Sequence, residues 1–270
     1  MLRCTLTIVI DPADLLEAYD KQLRTDAETP SALSIGYEGP LWLVTFVGGR
    51  GFVTYEHLGD ADADAIRSLV VSALDHYRAV AEVTRVEWKT RGHDRAPGLH
   101  NALVDNGFVA DDTESIMIGE ARALAVDVAL PTGVTLRRVF EESDVRAMTA
   151  MQCEVFGDSL GDEIADGLIR RLADDDEMEL WVAEVDGKIV SAGRLEPVMG
   201  TEFAGIWGGA TRSEWRGRGI YRALTSARAR SALAMGKTFL NSDSTEYSRP
   251  ILERSGLVKV STTTPYVWRY

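Results

Sequence analysis

Gly208-Gly209-Ala210-Thr211-Arg212-Ser213-Glu214-Trp215-Arg216-Gly217-Arg218-Gly219-Ile220-Tyr221-Arg222-Ala223-Leu224 reads as the end of a strand, a glycine-rich turn and the start of a helix. Glycines let such a turn curl so that successive backbone N–H groups point inward. The helix that follows adds its unpaired N–H groups and the positive end of its dipole, and together they can wrap a pyrophosphate. Arginines at the rim add charge-assisted hydrogen bonds. From 212 to 230 the chain carries six arginines (212, 216, 218, 222, 228, 230) and one acid, Glu214, in a protein of net charge −13. That is a local site for a small polyanion, with Arg228 and Arg230 expected on a solvated helix face.

Periodicity extends the pattern outward from this turn. Upstream it predicts a strand over 134–139, a helix over 143–156 capped by Ser143, and a second helix over 162–173. Strands over 180–185 and 189–195 follow, joined by the hairpin dipeptide Asp186-Gly187, and then a strand over 203–210. Downstream it predicts a helix from Ile220 to about Met235, a strand over 238–240, a short helix over 250–255, and strands near 258 and over 265–269. The N-terminal half repeats the later part of this order: strands over 41–47 and 52–58, a helix over 64–81, a strand over 84–88, a helix over 99–106, and strands near 109 and 116. Leu103-x-x-x-Gly107-Phe108-Val109 echoes Leu252-x-x-x-Gly256-Leu257-Val258, each closing a helix with a glycine and entering a strand. The expected fold class is α/β with mixed sheets, in two related domains, 1–128 and 129–270, divided near Pro131-Thr132-Gly133.

The segment from Trp215 to Leu224 resembles the acetyl-CoA motif of the GNAT N-acyltransferases, R/Q-x-x-G-x-G/A, with Arg216 first, Gly219 fourth, and Tyr221 where the family has Gly or Ala. The likeness covers about 134–269 well; over 1–125 it concerns element order and the Leu-x-x-x-Gly-Phe ending. It implies two GNAT-like domains, each a splayed mixed sheet flanked by helices, the first a degenerate copy and the second holding acetyl-CoA or another acyl-CoA. The backbone of Gly209, Ala210 and Thr211 would hold the pantetheine arm, and Arg216, Gly217, Arg218, Gly219, Ile220, Tyr221 and Arg222 the pyrophosphate. The Tyr221 ring must lie along the cofactor or turn into the helix packing. The family often has a tyrosine four residues before the glycine that ends the last helix, and here that place is Leu252. Tyr247 and Tyr221 are the substitutes as proton donor.

Direct acyl transfer needs a neutral amine, so a base must take a proton while an acid restores one to the leaving thiolate. Glu202, at the start of the strand leading to Gly209, is the candidate base, with Glu196 and Asp243 behind it. The expected acceptor is a primary amine of a small or peptide-like molecule, cationic to suit the acidic surface. The alternative is a non-catalytic acyl-CoA-binding sensor or scaffold, which the missing helix tyrosine permits.

Composition sets the outer bounds. Residues 1–130 hold 11 Lys+Arg against 21 Asp+Glu, and residues 131–270 hold 18 against 21, so no basic face for nucleic acid is expected. No run reaches the roughly 18 apolar residues of a membrane helix, and residues 1–10 lack the layout of a secretory signal, so a cytoplasmic protein is expected. Cys4 and Cys153 stand alone, as small buried side chains. His93 and His100 read as solvated loop residues, Trp181, Trp207 and Trp215 as core, and no metal site is expected. Gly48-Gly49-Arg50-Gly51 reads as a hairpin turn. Asp60, Asp62 and Asp64, before the N-terminal helix, would repel a pyrophosphate. A homodimer is left open.

Overall fold

The computed structural model describes residues 11–270 apart from 31, 158, 175 and 176; Cys4 and the rest of 1–10 lie outside the described residues. In chain order the elements are α1 (Pro12–Leu23), β1 (Ser34–Glu38), β2 (Leu41–Phe46), β3 (Arg50–Thr54), α2 (Ala63–Arg78), β4 (Arg85–Arg91), α3 (Leu99–Asp105), β5 (Val109–Ala110), β6 (Glu114–Glu120) and α4 (Ala121–Leu124). They continue with β7 (Thr135–Val139), α5 (Glu142–Phe156), α6 (Gly161–Ala173), β8 (Glu179–Val185), β9 (Lys188–Pro197), β10 (Phe203–Thr211), α7 (Ile220–Ala234), β11 (Phe239–Ser244), α8 (Arg249–Ser255) and β12 (Val258–Arg269). The fold is mixed α/β. No helix among the described residues is long and apolar enough to cross a membrane.

Two compact units share the chain: 1–117 with 243–249 and 259–270, and 118–242 with 250–258. Each draws on separate stretches of sequence, so these units and a single cut at 128/129 are different partitions.

In unit 1, β1, β2 and β3 form an antiparallel run, β3 pairs with β4 in parallel, and β12 closes antiparallel on β4. The apolar stripe of α2 (Ile66, Val70, Leu74, Tyr77) packs on Leu41, Val53, Val86 and Trp88. Tyr77 ties the sheet together, its hydroxyl donating to the carbonyls of Val44 (3.0 Å) and Phe52 (2.9 Å). The two final strands expected from sequence are one continuous strand, β12. Pro265, opposite Lys89, lacks an N–H but interrupts neither the strand nor its pairing.

In unit 2, β7, β8, β9 and β10 are antiparallel neighbours, and β10 pairs with β11 in parallel. Asp186 and Gly187 both take positive φ, +48° and +74°, as a two-residue hairpin turn requires. Alternation along the strands divides the faces. Leu180, Val182, Ala192 and Ala210 meet Val145, Met148 and Met151 of α5 and Leu168 of α6. Ala183 and Val190 meet Ile220 and Leu224 of α7 on the other face. Ser143 does not cap α5: the helix begins one residue earlier, with Glu141 at the N-cap and no side-chain cap bond. Cys153 is buried, as expected.

Candidate active site

The site begins with a strand that changes partners. β10 pairs with β11 over Phe203–Gly205 against Phe239–Asn241, then runs on to Thr211; among the described residues the two strands part after Gly205. On its other edge the register with β9 shifts between Trp207 and Ala210. This is a β-bulge at Gly208-Gly209, and it re-aims the backbone where the strand pair opens. Gly208 sits at φ +61°, and its carbonyl accepts a hydrogen bond from Gln152 Nε2 at 2.5 Å. Ser191 Oγ donates to the Ala210 carbonyl and lies 2.7 Å from Thr211 Oγ1.

After β10 a short 3₁₀ turn, Ser213–Trp215, leads into Arg216-Gly217-Arg218-Gly219. Gly217 and Gly219 hold φ of +73° and +81°, the left-handed region that a side chain enters at a cost of about 1 kcal/mol. Gly219 is the N-cap of α7. It makes no side-chain cap bond, and the first turn carries no acid. The leading N–H groups of α7 therefore keep their capacity for an anion. Arg216 Nε donates to the Thr211 carbonyl at 2.9 Å, and Arg218 stacks over the Trp215 ring at 4.8 Å. Both remain exposed at the rim, as does Arg222.

Tyr221 lies on the bulge. A Cβ on Gly209 would meet its Cε2 at 2.6 Å and its hydroxyl at 2.8 Å, so only glycine admits the ring there. Beneath it is Arg228. The solvated helix face expected for Arg228 is overturned, because its side chain is fully buried. The guanidinium donates to the carbonyls of Leu224 (3.3 Å) and Arg194 (3.2 Å) and to Thr225 Oγ1 (3.3 Å), and it lies 5.8 Å from the Tyr221 ring centroid. Burial pushes its pKa down, opposed by the electrostatic attraction of the nearby Tyr221 phenol. The three hydrogen bonds of the guanidinium go to Leu224, Arg194 and Thr225, so the Tyr221 hydroxyl keeps its own proton for another partner. A sequence signal for this pair did exist, since Arg228 stands seven residues, two helical turns, after Tyr221. Arg230 is on the solvated face as expected, bonded to Asp127 and the Val126 carbonyl.

The acids expected at the site are dispersed. Glu202 precedes the paired segment, exposed, with its carbonyl bonded to the Thr238 and Phe239 N–H groups. At about 3.3 Å per residue it lies on the order of 23 Å from Gly209, toward the closed end of the strand pair. Asp243 is tied to Lys89 at 3.2 Å within unit 1. Tyr247 is 81% exposed and precedes α8 instead of lying within it, while Leu252 is buried. Glu196 is nearest the bulge: it stands opposite Gly205 across the β9/β10 ladder. It is held by Arg194 and, at 3.2 Å, by Arg171.

The site is thus a bulged strand that parts from its parallel neighbour and delivers a glycine-arginine turn to an uncapped helix. Residues 145–256, from α5 to the end of α8, match the model of the Acetyltransferase (GNAT) family, so the second half carries a GNAT domain. Among solved structures, the chain resembles a GCN5-related N-acetyltransferase from Kribbella flavida (14% identity, 95% of this chain and 93% of that one, TM-score 0.62). It also resembles a tandem GNAT protein from the clavulanic acid biosynthesis pathway (14%, 85% and 78%, 0.62) and a GCN5-related N-acetyltransferase from Sphaerobacter thermophilus (15%, 85% and 76%, 0.60). These likenesses establish the tandem GNAT fold. Comparison with curated protein sequences gives no match.

Proposed function

We propose that this protein moves an acyl group, acetyl in the simplest case, from acyl-CoA directly to a primary amine of a small acceptor. The observation that carries the reading is the uncapped start of α7 behind Gly217 and Gly219, at the end of a bulged strand whose edge is open past Gly205. These residues fit a pyrophosphate followed by an extended arm: left-handed glycines, free helix N–H groups, and arginines at the rim. Acyl-CoA supplies the activated thioester carbon. Backbone N–H groups at the bulge, from Gly209 to Thr211, face the carbonyl oxygen as charge builds on it.

Two side chains divide the proton work across the two faces of β10. Glu196 takes the amine's proton, directly or through water, in place of Glu202. The nitrogen bonds to the carbonyl carbon and the carbon–sulfur bond breaks. Tyr221 gives its proton to the sulfur, and the charge left on its oxygen faces Arg228. A cytoplasmic setting, where acyl-CoA is made, suits this reading. Leu252, buried where the resemblance expects a tyrosine, favours a second reading in which the domain holds acyl-CoA without turnover. Release of free CoA from acetyl-CoA across a panel of amines separates the two: saturable, amine-dependent release is expected for transfer. CoA binding by calorimetry with no release from any amine leaves the holding role.

A further inference from the structure

The α7 side of the bulge is taken by Tyr221 and the coenzyme turn, so an attacking amine must approach the carbonyl from the side of α5 and α6. The ladder registers Arg194 with Trp207 and Glu196 with Gly205. Arg194 also stands opposite Leu180, a residue of the α5/α6 core. Arg194, Glu196 and Trp207 therefore share that face by the alternation of the strands. Gly205 leaves room beside Trp207, since a Cβ there would strike the indole at 2.2 Å. Arg194 Nη1 would be 3.1 Å from a Cβ on Gly208, which puts the guanidinium against the bulge itself.

Arg194 keeps donors to spare on this face. Arg194 Nε donates to one oxygen of Glu196 and Arg171 pairs with the other at 3.2 Å, so two cations share one carboxylate. Among the described residues no further acceptor is bonded to the Arg194 Nη groups. Arg194, Glu196 and Arg171 are 28%, 22% and 34% exposed, enough for a small ligand to reach and too little for water to screen them fully. A cation, a carboxylate and a second cation in a row complement a molecule with an ammonium beside an acid group. From this arrangement, and resting on the acyl-transfer reading above, we infer that the acceptor is an amine bearing a carboxylate close to the amino group, as in an amino acid. Arg194 takes the carboxylate through its Nη groups and Glu196 faces the amine. The net charge of −13 favours cationic molecules only at long range, where salt screens it beyond about 8–10 Å. Contacts at hydrogen-bond distance decide what binds.

The test uses the full chain, acetyl-CoA, and matched acceptors with and without the acid: L-amino acids against the amines left when their carboxylate is removed. CoA release should favour the amino acids by about 100-fold in kcat/KM, as expected for a charge-assisted pair of hydrogen bonds. Arg194→Gln should reduce that preference to within about threefold, mainly through KM, and Arg194→Lys, which keeps the charge without the fork, should retain part of it. Equal or better turnover of the decarboxylated amines by the wild-type chain overturns the inference and leaves acyl transfer standing. An undiminished preference in folded Arg194→Gln overturns the assignment of the arginine. Release from no amine of either kind overturns the transfer reading and this inference with it.

Discussion

The two units build the same opening and treat it in opposite ways. In unit 1, β3 and β4 pair in parallel over Arg50–Val53 against Arg85–Trp88, the counterpart of β10 and β11 over Phe203–Gly205 against Phe239–Asn241. Beyond Val53 the unit 1 opening is filled with side chains. Arg91 donates to Thr54 Oγ1 at 3.1 Å and pairs with Glu28, Thr54 Oγ1 donates to Glu28, and Arg24 donates to the Tyr55 carbonyl at 2.8 Å. The backbone edge that an extended arm would need is spoken for. The helices after the strands differ in the same sense: α2 is capped by Asp62, whose carboxylate accepts from the Ala65 N–H, and carries Asp64 in its first turn, whereas α7 has Gly219 and no acid. One copy covers its strand edge and helix start with its own side chains, and the other leaves them open to a ligand.

The largest effect should come from breaking the filling of unit 1. Burial alone would raise the pKa of Glu28, but Arg91 and Lys89 outweigh it and hold the carboxyl down to about 2, from an ordinary 4.5. A lowered folded-state pKa means the stabilisation is complete above about 4.5 and is lost as pH falls toward 2. Glu28→Gln removes the anion and leaves buried cations, at a cost of about 3–5 kcal/mol. Denaturant unfolding at neutral pH should show that loss, and the variant should lose less further stability than wild type between pH 4.5 and 2. A variant as stable as wild type would mean the cluster does not hold the opening shut.

Copying the unit 1 cap into unit 2 tests the other half of the contrast. Gly219→Asp places a carboxylate where the pyrophosphate is proposed, at a residue that already needs a left-handed backbone. It should weaken CoA binding by about 100-fold in calorimetry. Wild type should bind one CoA per chain, because α2 is already capped. Two equivalents of CoA would erase the distinction between the copies.

Tyr221→Phe keeps the ring over Gly209 and removes only the proton. With amine and acetyl-CoA saturating, kcat should fall on the order of 10- to 50-fold while the dissociation constant for CoA stays put. Stability should stay within about 0.5 kcal/mol, because the ring packing over Gly209 is kept and the bonds of Arg228 to Leu224, Arg194 and Thr225 are untouched. Unchanged kcat would return the proton donor's role to water.

The sequence carried the fold further than the site. Element order, the Asp186-Gly187 hairpin and the turn at Arg216–Gly219 are legible because each depends on neighbours in sequence. Helix α1 and strand β1 were missed, as was the continuity of β12 through Pro265. Arg228 was misread for a different reason. Helical period alone does not tell a buried face from a solvated one when the residue is charged, and what buries it, Gly193 of β9, is far away in sequence: a Cβ there would lie 2.6 Å from its Nη1. Glu202 starts a strand that leads to Gly209, yet distance along the strand takes it away. Glu196 comes close through the antiparallel ladder, which a single sequence does not display.

The smallest effect should come from the arginines that the motif makes most conspicuous. Arg216 and Arg218 are exposed, and each already has a partner inside the turn, the Thr211 carbonyl and the Trp215 ring. Binding a pyrophosphate would turn part of each side chain outward, so the gain is the difference between two contacts and not a whole new one. Solvent screens what remains. Arg216→Ala with Arg218→Ala should therefore weaken CoA by about tenfold, less than Gly219→Asp, and leave the melting temperature within a degree or two because neither side chain supports a core. Repeating the titration at raised salt should narrow the gap between variant and wild type. A loss as large as that of Gly219→Asp would assign the main anion contact to the arginine side chains instead of the helix backbone. No loss at all would leave the uncapped N–H groups of α7 as the whole of the site, a contrast with Asp62-capped α2 sharper than the one drawn above.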